Sequence, residues 1–171
     1  MMNKVSMGCI ILLLAQLELS IAAGTQELLG RVDDVPNGDT IIVIDQNKKR
    51  HKVYLLGIDA PELKQPFGIE AKAHLDRLLF ARNYQVKVVI TRRTAAGNLV
   101  GTVYATELNS PQYSNINGMM VMSGFAWANP RTSKQYVGVE KIARNRRIGL
   151  WEQKKPQAPW LWRQLRNQRK K

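Results

Sequence analysis

The sequence predicts an α+β, mainly-β domain in which five short strands form a small barrel and three helices pack outside it. Three observations predict this class. Short β-branched runs recur along the chain, Gly- and Asn-rich turn sequences separate them, and segments with apolar residues at helical spacing lie between them. The same order of elements is also compatible with an α+β sandwich, so the pattern alone leaves both architectures open.

Three consecutive strands are predicted at residues 28–32, 40–44 and 52–56. The second consists of Thr, Ile and Val, which favour extended backbone because their branched side chains pack well on a pleated surface. Turn-forming residues at 36–39 and a polar run at 45–48 separate the three. We therefore expect a three-stranded meander.

The remainder of the chain supplies three helices and two more strands. A helix is predicted over residues 68–82, with one apolar face that consists of Ile69, Leu75, Leu78 and Leu79. The other elements are predicted as strands at 86–91 and 99–106 and helices at 117–124 and 136–147. Five strands with interspersed helices are typical of a barrel of the OB type.

Positive charge is in excess and is unevenly placed. Lys and Arg number 26 against 13 Asp and Glu, which gives a net charge of +13. Residues 131–171 hold half of the basic residues and only two of the acidic ones. A contiguous basic block attracts polyanions by long-range attraction and counterion release, although a solvated basic tail is the alternative interpretation.

The first 23 residues have the composition of a secretory signal peptide. Lys4 gives a positive start, residues 7–15 are apolar, and small residues end the segment near Ala22 and Ala23. We expect cleavage there, a secreted or periplasmic location and no stable membrane insertion of the mature chain, with an uncleaved anchor as the alternative. The only cysteine, Cys9, lies in this segment, so the mature chain has neither a disulfide nor thiol chemistry.

We assign residues 1–23 to the signal peptide, 24–151 to the barrel domain and 152–171 to a basic C-terminal tail that contains Trp and Pro. The mature protein is expected to be a monomer.

Two aspartates are predicted to lie at neighbouring strand ends. Asp39 precedes the second strand, and Asp59 follows the third. Pro61 fixes its own φ and favours an extended Ala60, so Asp59 and Glu62 flank a rigid corner. Carboxylates are ligands for hard cations such as Ca²⁺, and a further carboxylate can take a proton from water beside a metal. The alternatives are an ordinary hairpin turn at Asp39 and helix capping by the other acids.

Six motifs stand in order along the chain. They are Asn37-Gly38-Asp39-Thr40, Leu55-Leu56-Gly57-Ile58-Asp59-Ala60-Pro61-Glu62, Gln65-Pro66-Phe67-Gly68 with Glu70-Ala71, Gly101-Thr102-Val103-Tyr104, Asn117 through Gly124-Phe125-Ala126, and Glu140 through Ala143-Arg144 to Gly149-Leu150-Trp151. This ordered set resembles the staphylococcal nuclease family over residues 27–162.

The resemblance implies a five-stranded OB barrel with three helices and a phosphodiesterase that cuts DNA and RNA using Ca²⁺. Asp39 and Asp59 match the family's metal carboxylates, and the Ala60 carbonyl matches its backbone ligand. Glu62 matches the residue assigned as general base. Trp127 matches an aromatic near the nucleotide site, where a base could stack on it, although a core aromatic is an equal alternative.

Two departures from the family concern phosphate binding. Tyr54 and Asn98 stand where the resemblance calls for arginines that clamp the scissile phosphate. Lys52, two residues before Tyr54 on the same strand face, and Arg92 and Arg93, which enter the loop carrying Asn98, are the nearby bases that can compensate.

Three functions remain under consideration. The first is a Ca²⁺-dependent nuclease acting on DNA or RNA, weakened by the loss of both arginines. The second is a catalytically degenerate barrel that binds nucleic acid. The third is a protein-interaction module, which a single domain behind a signal peptide favours least.

Overall fold

The β-branched runs form strands that close edge to edge into a barrel in the computed structural model, which describes residues 25–106 and 112–168. The strands are β1 (Glu27–Asn37), β2 (Thr40–Asp45), β3 (Arg50–Leu55), β4 (Ile58–Asp59), β5 (Gln85–Arg93), β6 (Leu99–Thr106), β7 (Tyr113–Asn115) and β8 (Trp127–Ala128). Strands β3-β2-β1-β5-β6 are neighbours in that order, and a parallel pairing of β3 with β6 closes the ring. The predicted five-stranded barrel is confirmed, with β7 added at the edge of β6 and β4 paired with β8.

The helices are α1 (Gly68–Phe80), α2 (Ile116–Met122), α3 (Val137–Asn145) and α4 (Pro159–Gln168), with a 3₁₀ helix at Gly149–Glu152. The prediction of three helices was one short, because α4 lies in the basic segment after residue 152. Pro159 is its first residue, a position where proline needs no hydrogen-bond partner and its fixed φ already suits a helix. Helix α2 begins at Ile116 because the side chain of Asn115 accepts a hydrogen bond from the Gly118 N–H, 3.0 Å away.

Two hydrophobic clusters stabilise the fold. The larger fills the barrel and the space under α1 and α2. Its fully buried members include Ile41, Val43, Val53, Leu75, Leu79, Val88, Val103 and Met120. Burying a side chain of this size contributes roughly 1.5–3 kcal/mol. The smaller cluster combines Trp127, Ala143, Leu150, Trp151 and Ala158, with Phe67, Ile148 and Trp160 packed against it. The start of α4 packs against this second cluster.

One buried polar side chain ties the barrel to α2. Asn117 is fully buried, and its Oδ1 accepts from the Val103 N–H at 2.9 Å. Its Nδ2 donates to the carbonyls of Leu56 at 2.9 Å and Gly101 at 3.3 Å. The Gly101 carbonyl also accepts from the Leu56 N–H at 2.8 Å, so the backbone groups that depend on this amide are the Val103 N–H of β6 and the Leu56 carbonyl just after β3.

The predicted signal peptide, its cleavage point and Cys9 lie outside the described residues. Across residues 25–106 and 112–168, none of the helices has the length and apolarity needed to cross a membrane.

Candidate metal and nucleic-acid site

The predicted acidic residues meet in a cleft of about 320 Å³ at one end of the barrel. The cleft lies where β2 and β6 begin and where β3 and β5 end. Its charged and aromatic lining comprises Asp39, Tyr54, Asp59, Glu62, Arg92 and Arg163. Residues that are far apart in sequence therefore share one solvent-accessible hollow.

A close backbone approach brings Asp39 to the segment that carries Asp59. The backbone N–H of Ala60, the residue after Asp59, donates to Asp39 Oδ2 at 3.0 Å. The Thr40 hydroxyl donates to Asp39 Oδ1 at 2.9 Å. Gly38 is required here, because a Cβ at this position would lie 2.8 Å from the Cβ of Ala60. The Asn-Gly-Asp turn thus fixes where the first carboxylate lies.

The environment of Asp39 penalises its negative charge. Burial raises the pKa of this carboxyl to about 6, and the neighbouring charges of Asp59 and Glu62 add to the increase. The hydrogen bonds from the Ala60 N–H and the Thr40 hydroxyl act in the opposite direction but are outweighed. Because burial and the neighbouring acids outweigh the two hydrogen bonds, a bound cation would stabilise the ionised form of Asp39.

The guanidinium of Arg163 provides positive charge at the other two acids. Its Nη1 and Nη2 donate to Asp59 Oδ1 and Oδ2 at 3.0 and 2.7 Å, a two-pronged contact. Nη1 also donates to Glu62 Oε1 at 2.8 Å. The hydrogen bonds to Asp59, and secondarily to Glu62, hold the pKa of Arg163 above its usual value. One side chain of α4 thus bridges the predicted metal ligand and the predicted base.

Cross-strand pairing places Arg92 in the same cleft. Thr40 pairs with Tyr54, Tyr54 with Val100 and Val100 with Arg92, so the four form one row across β2, β3, β6 and β5. All four line the cleft. The pairing of β5 with β6 shifts register between Ile90 and Arg92, and a bulge of this kind re-aims the side chains that follow it. Arg92 is accordingly the predicted compensating base that reaches the site.

The other predicted nucleic-acid residues lie elsewhere. Lys52, Arg93, Asn98 and Trp127 are not among the described residues that line the cleft. Lys52 Nζ lies 5.1 Å from the centre of the Tyr54 ring, at the margin of the cleft. The Asn98 N–H donates to the hydroxyl of Thr94, a lining residue, at 3.1 Å.

Trp127 belongs to the second hydrophobic cluster. It is 8% exposed, and its ring packs edge-on against Trp151 and Trp160, with centroids 4.5 and 5.5 Å away. The guanidinium of Arg144 lies 4.6 Å from the centre of the same ring. These contacts favour the core-aromatic alternative over base stacking.

Sequence reasoning missed Arg163 as a site residue, since it placed residues 152–171 in a basic tail. One signal was available, because Pro159 followed by Trp160 and Trp162 combines a helix start with large apolar side chains that need a seat. Helical spacing after that proline places Arg163 one turn from the start of α4.

The donor set suits a hard divalent cation. Asp39 and Asp59 offer carboxylate oxygens, and Ca²⁺ takes six to eight oxygens that include backbone carbonyls and water. Within the described residues, no three His, Cys, Asp or Glu side chains form a cluster of metal-binding geometry. Asp59 and Glu62 instead contact the Arg163 guanidinium, a cation in the position where a divalent ion would be attracted.

Comparison with known proteins places this geometry in a family. Residues 52–153 match the family model described as staphylococcal nuclease homologue. The chain is 40% identical over 142 residues to a micrococcal nuclease of Shigella flexneri, an alignment that covers 78% of this chain and 79% of that protein. It is 38% identical over 151 residues to Protein ParB of Escherichia coli, with 84% of each chain covered. An uncharacterized endonuclease of Escherichia coli O157:H7 is 34% identical over 139 residues, with coverage of 80% and 86%. The fold, the acidic cleft and these matches together establish that the chain belongs to the staphylococcal nuclease family.

Proposed function

We propose that this protein is a Ca²⁺-dependent nuclease that hydrolyses phosphodiester bonds of DNA, RNA or both. The observation that carries the proposal is the convergence of Asp39, Asp59 and Glu62 in one cleft that also presents Arg92. The similarity to a micrococcal nuclease and to an endonuclease supports the same activity.

The carboxylates of Asp39 and Asp59, with the carbonyl of Ala60, are the groups that would hold the cation. When bound, Ca²⁺ supplies Lewis-acid polarisation of a phosphate oxygen. Glu62 is partly exposed at the cleft, so it can accept the proton of an attacking water. Arg92 provides positive charge across the cleft floor for the phosphodiester backbone.

Activity is expected to be weak beside an arginine-bearing relative. Tyr54 lines the cleft but cannot carry a positive charge, and Asn98 likewise cannot replace a guanidinium. Loss of one charged or polar donor to a transition state costs ~10²–10³ in rate. Arg92 offsets part of this loss, because it lies in the same cross-strand row as Tyr54.

The absence of arginine at positions 54 and 98 also favours a second function, binding of nucleic acid without cleavage. A barrel that binds nucleic acid without cleaving it needs the basic surface and not the catalytic geometry. The contact of Arg163 with Asp59 and Glu62 is compatible with such a protein. A cleavage assay distinguishes the two.

The test uses the purified protein on plasmid DNA and on RNA, with Ca²⁺ or with a chelator. We expect cleavage with Ca²⁺ and none with the chelator. Glu62→Gln should lower the rate by at least ~10²-fold, because a general base contributes ~10²–10⁴. Glu70→Gln, an exposed acid on α1, is the matched control and should cleave as the wild type does. Binding without cleavage at any Ca²⁺ concentration would favour the non-catalytic barrel.

We also propose export of the protein as a monomer after removal of residues 1–23, supported by the composition of that segment. Mass spectrometry of protein recovered from the periplasm or the medium should give a chain that begins at or close to Gly24. Recovery of the full-length chain in the membrane fraction would show an anchor instead.

A further inference from the structure

Arg163 is held at the cleft by the packing of α4 and not by its ion pairs alone. Ala158 and Pro159 at the start of the helix are buried, and the Trp160 ring packs edge-on against Trp127. Just before the helix, the side chain of Gln65 donates from Nε2 to the Gln157 carbonyl at 2.6 Å. The backbone that carries Arg163 therefore stays beside the cleft even when the guanidinium changes its partners.

We propose that Arg163 is the guanidinium that binds the substrate phosphate in this chain, in the role that the residues at positions 54 and 98 cannot perform. The proposal rests on the nuclease function proposed above. A guanidinium fork matches a phosphate as well as it matches a carboxylate, since both present two oxygens in one plane to two parallel N–H groups. The fork seen on Asp59 shows that Arg163 already has the reach and orientation for a two-oxygen anion in the cleft.

The charges in the site give a reason for the change of partners. Two of the three Arg163 hydrogen bonds go to Asp59, which is also a predicted metal ligand. A divalent cation held by Asp39 and Asp59 would neutralise those oxygens and repel the guanidinium. A substrate phosphate in the same cleft would then be the acceptor for the freed Nη1 and Nη2.

Position also favours Arg163 over the basic residues elsewhere. It lines the main cleft together with Tyr54 and Arg92, and it lines the adjoining hollow together with Asn129 and Arg131. A phosphate between Arg92 and Arg163 would contact one guanidinium from the barrel and one from α4. The site would then contain two arginines, although neither stands at the expected positions.

The experiment measures binding of a nucleoside 3′,5′-bisphosphate, which carries phosphates but no diester bond, by calorimetry at saturating Ca²⁺. Arg163→Gln should weaken binding of this probe by roughly 10-fold to 100-fold, the effect of losing hydrogen bonds between charged groups. It should leave the affinity for Ca²⁺ alone undiminished, since a competing cation is removed. Arg163→Lys, which keeps the charge and loses the fork, should show an intermediate loss. Arg166→Gln, exposed on the same helix, is the matched control and should bind as the wild type does.

Two outcomes would overturn the proposal. Weaker Ca²⁺ binding with unchanged probe binding in Arg163→Gln would show that the arginine only positions the carboxylates. Tighter binding of both Ca²⁺ and probe would show that it only blocks the site. Near-ultraviolet circular dichroism of the tryptophans checks that α4 remains seated in each variant. Because the probe is not cleaved, failure of the wild type to hydrolyse DNA or RNA refutes the proposed activity, whereas probe binding in the variants decides the role of Arg163.

Discussion

Replacement of Asp39 by asparagine should stabilise the metal-free protein at alkaline pH. The pKa of Asp39 is raised from its ordinary value of 3.8 to about 6, so the folded state binds this proton more tightly than the unfolded chain does. Stability is therefore lost as pH rises from about 4 to about 6, and above that range the buried charge costs about 3 kcal/mol at 1.36 kcal/mol per pKa unit. Asparagine avoids this cost. It has one acceptor oxygen, so it cannot keep both hydrogen bonds from Thr40 and Ala60, a loss of about 1 kcal/mol.

The net expectation is a gain of about 2 kcal/mol for Asp39→Asn at pH 8 with a chelator present. Near pH 4 most of the wild-type carboxyl is already protonated, so the gain should disappear. Urea unfolding at the two pH values measures both differences. Asp34→Asn, an exposed acid on β1, is the control and should change little at either pH. A destabilised Asp39→Asn protein at pH 8 would refute the claim that this carboxylate is held against its own charge.

Two further predictions concern the barrel and the cleft. Asn117→Ala should lower the free energy of unfolding by about 2–4 kcal/mol, because the Val103 N–H and the Leu56 carbonyl lose their buried partner; urea unfolding that matches the wild type would contradict this. Tyr54→Arg should raise kcat by at least ~10-fold in a plasmid-cleavage assay, since it restores a charged donor inside the cleft. Asn98→Arg alone should raise it less, because Asn98 does not line the cleft among the described residues. Equal gains from both substitutions would show that the Asn98 loop moves into the site.

The strands were predictable because their signals are local. The β-branched run at β2 and the Asn-Gly-Asp turn before it specify extended backbone and a reversal within a few residues. Closure of the ring could not be predicted from local signals, since it depends on the parallel pairing of β3 with β6, whose paired residues are about 46 positions apart. Motif order supplied that information where strand propensity could not.

The acidic residues of the site were predictable because their signals are also local. The positions of the basic residues were not predictable from local signals. Asp59 and Glu62 flank one rigid corner, and Asp39 ends an adjacent turn. Arg92 reaches the cleft only because a bulge in β5 shifts its register, and no residue pattern marks that bulge. Arg163 reaches it only through tertiary packing of α4, whose basic composition is equally typical of a solvated tail.

The contact between Arg163 and Asp59 spans 104 residues of chain, so the acidic corner leaves the ribosome, or the export channel, well before the residue that neutralises it. On the ribosome, at ~5–20 residues per second, roughly 5–20 seconds separate the two. Until residue 163 is free, Asp59 and Glu62 lack this counter-charge wherever the chain folds. The cleft therefore receives its Arg163 guanidinium late in folding, when α4 packs against the rest of the domain.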